Sequence, residues 1–362
     1  MRHIVEKFQI KSEPGAIKPL KKGFANESFI VESKDPGSEW YFLQKINHKF
    51  FKNITGLQNN IRLVTDHLRK KLAERGYADL ERRVLQLIPA KDGSLFYKDD
   101  EGNFWRVYVF IRNTKSFDTI TPELAYKAGL AFGDFQSMLA DLPSDMMIEI
   151  IPNFHNMEFR LEEFREAVKN DAADRMKNVH WMVKELESRA DDMCIPERLH
   201  REGKLPKRII HYDTKLSNIL FDENDEPICI VDLDTVMPGY VLSDYGDFMR
   251  SAANTGAEDD ENLENIGVNF SIFEAYTKGY MEKAKGFLVP TELGNLAFGV
   301  KLQSYMQTVR FFTAYLNDST YYKTKSPEHN WKRALAQFEL LKKQEEAYER
   351  MQNIVFECVE LQ

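Results

Sequence analysis

The 362-residue chain is 43% apolar and 29% charged with a net charge of −8, the composition of a globular protein with room for about two domains. It has no block of Lys and Arg long enough to track a phosphate backbone and no apolar run of membrane-spanning length, and Met1–Lys7 lacks the apolar core of a signal peptide. No nucleic-acid or membrane partner is expected, and the expected location is the cytoplasm. Cys194, Cys229 and Cys358 are odd in number and far apart, so they read as reduced thiols without a metal role.

From the N-terminus, Ile17–Lys21, Ser28–Ser33 and Trp40–Ile46 read as successive antiparallel strands, with Pro19 confining the first to an edge. Thr55 to Glu74 carries Leu57, Ile61, Val64, Leu68 and Leu72 at spacings of three and four, which predicts an amphipathic helix. Val84–Ile88 and Phe104–Ile111 follow as strands, separated by turns at Lys91–Gly93 and Asp99–Asn103. Five strands and one helix make a small lobe over residues 1–112, and Arg112–Phe117 is the expected crossing. Beyond it the periodicity is helical. Thr121 caps a helix running to about Ala140, with Pro122 in its first turn, where a missing N–H costs nothing. Further helices are predicted at 158–170, 172–191, 270–285, 291–316 and 328–358. Within this stretch Ile219–Phe221 and Ile228–Val231 form a short hairpin around Asp222–Pro227.

The hairpin separates two charged motifs. His211-Tyr212-Asp213-Thr214-Lys215-Leu216-Ser217-Asn218 precedes it, and Ile230-Val231-Asp232-Leu233-Asp234 closes it. In kinase-type phosphoryl transfer a loop Asp takes the proton of the attacking hydroxyl, and an Asn five residues later turns back to a metal ion. Asp213 is read as the base, and Asn218 and Asp232 as magnesium ligands that the hairpin returns side by side. Two hard oxygen donors leave the rest of the shell to ATP phosphates and water, as magnesium prefers. Lys215 either offsets charge on the transferring phosphoryl or is a solvated loop lysine. The plainer reading of the octapeptide is an Asx turn with an incidental histidine. The hairpin and the second Asp at the right distance argue against it.

Gly23-Phe24-Ala25-Asn26-Glu27-Ser28 lies between the first two strands. There a Gly-containing turn either places N–H groups over phosphates, with Gly23, Asn26 and Ser28 as contacts, or simply closes a hairpin. A G-x-x-x-x-G-K-[ST] motif is absent, which argues against a P-loop kinase. Lys45, ending the third strand, is the candidate for an ATP phosphate contact. The first turns of the following helix offer it Gln58, Asn59 and Asn60 in place of a glutamate partner. Phe110 and Ile111 stand at the crossing, where backbone groups would bind adenine and the side chains would be core.

With these motifs in place, the chain resembles the aminoglycoside phosphotransferase and choline kinase superfamily over nearly its whole length, and within it the N-acetylhexosamine 1-kinases. Gly23–Ser28 is similar to that group's phosphate loop, His211–Asn218 to its catalytic loop and Ile230–Gly239 to its magnesium strand and turn. Asp244–Asp247 through Arg250, Ala253–Thr255, Glu258–Asp259, Ile151–Asn156 with Arg160, and Val309–Leu316 are also similar. The catalytic loop identifies phosphotransfer and the other segments carry the acceptor reading. The resemblance implies an α+β, protein-kinase-like two-lobed fold. Residues 1–112 would form a nucleotide-binding lobe with a small antiparallel sheet and one helix. Residues 113–362 would form a larger, mainly α-helical lobe with the catalytic loop and acceptor site. It implies ATP and Mg2+, and a sugar pocket drawing on His155, Asn156, Arg160, Asp234, Arg310 and Tyr315.

Each acceptor residue has a plainer alternative. Arg160 would pair with Glu162 or Glu163, Arg310 would bridge helices, and Asp234 would brace its loop instead of orienting the sugar. The acidic run Glu258–Glu261 suits a cationic aminoglycoside or, as the first turn of a helix, the macrodipole. The expected activity is ATP-dependent phosphorylation of the anomeric hydroxyl of N-acetylglucosamine or N-acetylgalactosamine. The rivals are a kinase of another small alcohol, such as an aminoglycoside, choline or another hexose, and a non-catalytic nucleotide-binding regulator. Asp213, Asn218 and Asp232 together argue against the regulator, and a choline site needs an aromatic cage where these segments hold Arg, His and Asn. The sequence does not give the oligomeric state.

Overall fold

Alternating apolar positions build the N-terminal sheet. In a computed structural model that describes residues 1–20, 26–319 and 321–360, six strands pair antiparallel: β1 (Pro14–Leu20), β2 (Glu27–Ser33), β3 (Tyr41–Ile46), β4 (Leu87–Ile88), β5 (Tyr97–Lys98) and β6 (Phe104–Val109). The order is β1-β2-β3-β6-β4 with β5 beside β6, so β1 with its Pro19 is an edge strand as expected. The strand expected over 84–88 shrinks to two residues because Leu80–Arg83 forms a helical turn just before it. The sheet has two different faces. Val31, Tyr41, Leu43, Trp105, Val107 and Val109 are buried on one, against Ile4, Val5 and Phe8 of the N-terminal segment. Burying each large apolar side chain contributes roughly 1.5–3 kcal/mol. The other face carries Ser28, Gln44 and Arg106, opposed across the strands.

Helix Ile54–Glu74 starts where the Asn53 side chain accepts the Gly56 N–H at 2.9 Å, and it buries the predicted Leu57, Ile61, Val64, Leu68 and Leu72. It also buries Gln58 and Asn60. The chain divides into two units, and three segments make the first: Met1–Ser116, Met138–Ile151 and Ser217–Met237. Its first segment ends at Ser116.

The second unit comprises Phe117–Ser137, Pro152–Leu216 and the chain from Pro238. It is mostly helical: Pro122–Leu139, Met157–Asn170, Val241–Ala252, Phe270–Ala284, Pro290–Leu316, His329–Glu346 and Tyr348–Glu360. Thr121 does cap the first of these, its Oγ1 accepting the Leu124 N–H at 3.2 Å. The single helix expected over 172–191 is broken. Asp171 and Asp174 take left-handed conformations, and Asp171 captures the N–H groups of Arg175 and Met176. Helix Val241–Ala252 was not foreseen, because nearly every one of its residues is buried and no polar stripe marks its period. It packs so closely on helix Pro290–Leu316 that a Cβ on Gly246 would stand 2.2 Å from the Gly299 carbonyl oxygen. The fold is α+β, as expected. Among the described residues no helix is long and apolar enough to cross a membrane.

Candidate active site

In the first unit, Ile219–Phe221 and Pro227–Ile230 pair as the predicted hairpin, and Asp222 Oδ1 accepts the N–H groups of Asn224 and Glu226 to close its turn. The Val231 N–H donates to the Asn218 carbonyl at 2.9 Å, so the backbone brings the residue before Asp232 onto Asn218. Asn218 is 4% exposed. Asp232 adopts φ +62°, a left-handed conformation that Asp tolerates better than most residues. An amide oxygen and a carboxylate are hard donors, so this pair fits magnesium and not a thiophilic metal.

The strand does not continue past Asp232. Leu233–Thr235 is a 3-10 turn, and the Asp234 carboxylate, 3% exposed, turns toward the polar face of the sheet. Arg106 grips it with Nη1 on Oδ1 and Nη2 on Oδ2 at 2.9 Å. Gln44 Oε1 accepts from Arg106 Nε and Nη2 at 2.9 and 2.7 Å, and Gln44 Nε2 donates to Ser28 Oγ at 3.0 Å. Asn26 Nδ2 donates to Asp234 Oδ2 at 2.6 Å. Asp234 therefore braces the turn, the second of the two roles the sequence left open. Removing one partner of such a buried pair costs roughly 3–5 kcal/mol.

The nucleotide-side candidates fall as follows. Lys45 sits opposite Trp105 and Glu27 in register, and its ammonium lies 5.9 Å from the Trp105 ring and 3.7 Å from Glu27. Strand alternation puts it on the face opposite Gln44 and Arg106. Gly23 lies outside the described residues, whereas Asn26 and Ser28 belong to the polar network just given. At the crossing, Phe110 gives its N–H to the Trp40 carbonyl, and the Ile111 carbonyl accepts from Thr114 Oγ1. The Phe110 carbonyl and the Ile111 N–H have no partner among the described residues.

In the second unit Asp244 anchors the loop His211–Leu216. Its carboxylate, 1% exposed, accepts the His211 and Tyr212 N–H groups at 2.8 and 2.7 Å and Gln136 Nε2 at 2.8 Å, while its carbonyl accepts from Thr214 Oγ1. Tyr212, at φ +64°, is thereby held in a conformation rare for an aromatic residue. Lys215 Nζ donates to Asp213 Oδ2 at 2.6 Å. The Asp247 carboxyl is pushed up by burial, with the Arg250 guanidinium opposing and the Asp213 charge adding to the rise.

The Tyr212 ring meets His155 edge-on at 4.9 Å, and His155 stacks on Phe154 at 4.7 Å. Burial, together with Arg310, Arg160 and Arg250, holds the His155 pKa well down, so the imidazole is neutral at pH 7. Its Nδ1 lies 3.4 Å from Gln303 Nε2. Arg310 stands 5.0 Å over Phe154 and 5.8 Å over Tyr322, and it has no ion pair with a carboxylate among the described residues. Arg160 donates twice to the Phe154 carbonyl and once to Glu163, so it holds the loop through its ion-pair alternative.

Two further acceptor candidates have partners of their own. Asn156 caps helix Met157–Asn170 through Oδ1 on the Phe159 N–H and gives Nδ2 to Asn153, so its polar atoms serve the turn. Tyr315 stacks on Trp331 at 5.5 Å and receives Arg175 4.4 Å over its ring. Five residues along a helix is about 500°, which turns Tyr315 away from Arg310. Gln303, seven residues before Arg310, shares its face, and that spacing was the available signal. Tyr322 follows the helix in a turn and gave none. The acidic run Glu258–Glu261 begins no helix either. Arg250 and Arg333 engage Glu258, Lys325 and His329 engage Asp259, and Lys332 engages Glu261.

Beneath this loop the buried Glu197 accepts the Met157 N–H at 2.8 Å and has been pushed up to about 7 by burial. The unfolded chain ionises this group near its ordinary 4.5 while the folded state keeps the proton. Stability is therefore expected to fall as pH rises from 4.5 to 7, by about 3 kcal/mol at most. Glu197→Gln should remove that part of the pH dependence of thermal unfolding. A wild-type-minus-variant difference that is constant over this range would contradict it.

A model of the phosphotransferase enzyme family, APH, matches residues 16–276, and the chain belongs to this family of kinase-type phosphotransferases. Among solved structures, an aminoglycoside phosphotransferase from Alicyclobacillus acidocaldarius is similar at TM-score 0.61 and 13% identity, covering 100% of this chain and 97% of that one. An amicoumacin kinase in complex with AMP-PNP, Ca2+ and Ami gives 0.58 and 14%, over 92% and 90%. A spectinomycin phosphotransferase in complex with ADP and spectinomycin gives 0.56 and 13%, over 98% and 96%. The shared fold is the protein-kinase-like one, with an antiparallel N-terminal sheet and a mainly helical C-terminal region.

Proposed function

We propose that this phosphotransferase uses ATP and Mg2+ to phosphorylate the anomeric hydroxyl of an N-acetylhexosamine, N-acetylglucosamine or N-acetylgalactosamine. The observation that carries the acceptor class is Arg310 over Phe154 and Tyr322, beside a neutral His155. A guanidinium already covers the aromatic faces that a quaternary ammonium would need, and its charge repels a protonated amine. What fits is a neutral acceptor rich in hydrogen-bonding groups. Arg310 donates to its hydroxyl or acetamide oxygens, Gln303 and His155 exchange hydrogen bonds with it, and Tyr212 offers a ring face to its C–H surface.

Asp213 orients the hydroxyl and accepts its proton, and Lys215 keeps the carboxylate aimed through its ammonium. Asn218 and Asp232 would hold the metal ion, which when bound supplies charge neutralisation to the phosphates. The Phe110 carbonyl and Ile111 N–H are the groups assigned to adenine, and Asn26 and Ser28 border the phosphate loop. Nucleotide use is further supported by the ADP and AMP-PNP complexes among the similar structures.

ADP release across a panel of acceptors tests this reading. Free N-acetylglucosamine or N-acetylgalactosamine should be turned over, while their 1-O-methyl glycosides, with no anomeric proton to give Asp213, should not. Arg310→Ala should lower kcat/KM for the sugar by about tenfold or more, since an unpaired buried polar group costs ~1–3 kcal/mol, and should leave the ATP KM in place. Turnover of choline, ethanolamine or an aminoglycoside in place of any sugar would overturn the acceptor assignment while keeping the kinase.

A further inference from the structure

In the second unit, helix Val241–Ala252 carries two buried carboxylates about one turn apart, Asp244 and Asp247. Residues three apart share a helix face. Asp244 is occupied by the His211 and Tyr212 N–H groups, so this face lies against the loop that bears Asp213. Asp247 holds no backbone. Arg250 Nε and Nη2 donate to its Oδ1 at 3.1 and 2.9 Å, and its Oδ2 has no hydrogen bond among the described residues. The residue is 8% exposed, so that oxygen is largely cut off from bulk water and still lacks a donor. Both ends of the proposed acceptor site feel this carboxylate. Burial raises the Asp247 carboxyl and the Asp213 charge adds to the rise, while at Arg310 burial is outweighed by Tyr322, Tyr321 and the Asp247 charge.

We propose that Asp247 is a specificity-determining residue whose Oδ2 accepts a hydrogen bond from a second hydroxyl of the acceptor, one other than the hydroxyl that is phosphorylated. The inference rests on the acceptor reading above and names the atom that reads the sugar ring. Arg250 is the residue that positions it. The Arg250 Nη1 is itself held by Glu258 Oε1 and Gln337 Oε1, both at 3.2 Å, so the guanidinium is fixed from behind and Oδ1 is fixed by the guanidinium. Oδ2 is then left pointing in one direction. The guanidinium also balances the carboxylate charge, and the Arg310 cation opposes a second positive group, so the donor that fits is a neutral O–H and not an ammonium. A charged acceptor fixed in direction separates a hydroxyl from its absence, because the analogue without it leaves the buried oxygen unpaired.

Kinetics with the 3-deoxy, 4-deoxy and 6-deoxy forms of whichever N-acetylhexosamine the wild-type protein turns over test this. The wild type should lose about tenfold or more in kcat/KM on at least one of them. Asp247→Asn keeps the size and an oxygen for Arg250. It should lose about as much on the parent sugar, leave the ATP KM in place, and treat the parent and that deoxy sugar alike within about twofold. A structural role alone would lower the parent and every deoxy sugar together and keep the wild-type discrimination, and that outcome overturns the assignment. So does a wild type that uses all the deoxy sugars as well as the parent. If Asp247→Asn does not fold, Arg250→Lys decides: it keeps the charge but not the paired grip on Oδ1, and the discrimination should relax by about threefold or more, an unchanged ratio overturning the assignment. A wild-type protein that turns over neither N-acetylglucosamine nor N-acetylgalactosamine sinks the acceptor reading, and this inference with it.

Discussion

Asp213→Asn is expected to lower kcat by about 10²–10⁴-fold, the range that a positioned general base contributes, while the ATP KM stays within about twofold. The asymmetry follows from what the residue does. In the proposed role its carboxylate meets the acceptor hydroxyl and matters most when the proton is leaving, so the loss should fall on the transition state. The amide keeps the size and one acceptor oxygen, and the loop itself is held by Asp244 through the His211 and Tyr212 N–H groups, so the variant should fold normally. Lys215 loses its counter-charge in the same variant, and a modest change in unfolding temperature is expected from that alone. Steady-state kinetics with a saturating acceptor checks the split. Near-normal turnover would remove Asp213 from the chemistry.

The second large effect is at Asp232. Asp232→Ala should abolish Mg2+-dependent ATP binding and with it turnover, because the nucleotide brings several negative charges and only a metal ion can neutralise them at the point of transfer. Asn218 alone offers a neutral oxygen, which is too little charge to hold the ion. Titration of Mg2+ against a fluorescent ATP analogue measures this directly, and EDTA should silence the wild-type enzyme in the same assay. Full turnover without a divalent ion would falsify the metal assignments of both residues.

The readable parts of the chain were those whose signal is local. Strand alternation around Phe29, Val31, Tyr41 and Leu43, the spacing of Leu57 through Leu72, and the hairpin between Asn218 and Asp232 all depend on neighbours a few residues away, and the structure has all three. The rest depended on partners far along the chain. Lys45 was read as the phosphate contact because lysine at a strand end suits that role, and the pairing with Trp105 and Glu27 that sets its face comes from other strands. Arg106 is an isolated charge in the apolar run Phe104–Ile111 and should have demanded a partner, but nothing nearby in sequence names Asp234. Tyr315 was grouped with Arg310 by closeness in sequence, and the helix turn of 100° per residue separates them. The all-round burial of Val241–Ala252 erased the polar stripe by which a helix is recognised.

Arg106 and its carboxylate partner are 128 residues apart in sequence. During synthesis the sheet therefore emerges with a cation on its inner face long before the matching anion exists, and the first unit cannot complete its polar interior until the segment ending at Met237 has followed. A fragment stopping at Ser116 would carry an unneutralised buried guanidinium, so this half of the protein is not a transplantable module. Its maturation is a late event, set by arrival of the Leu233–Thr235 turn.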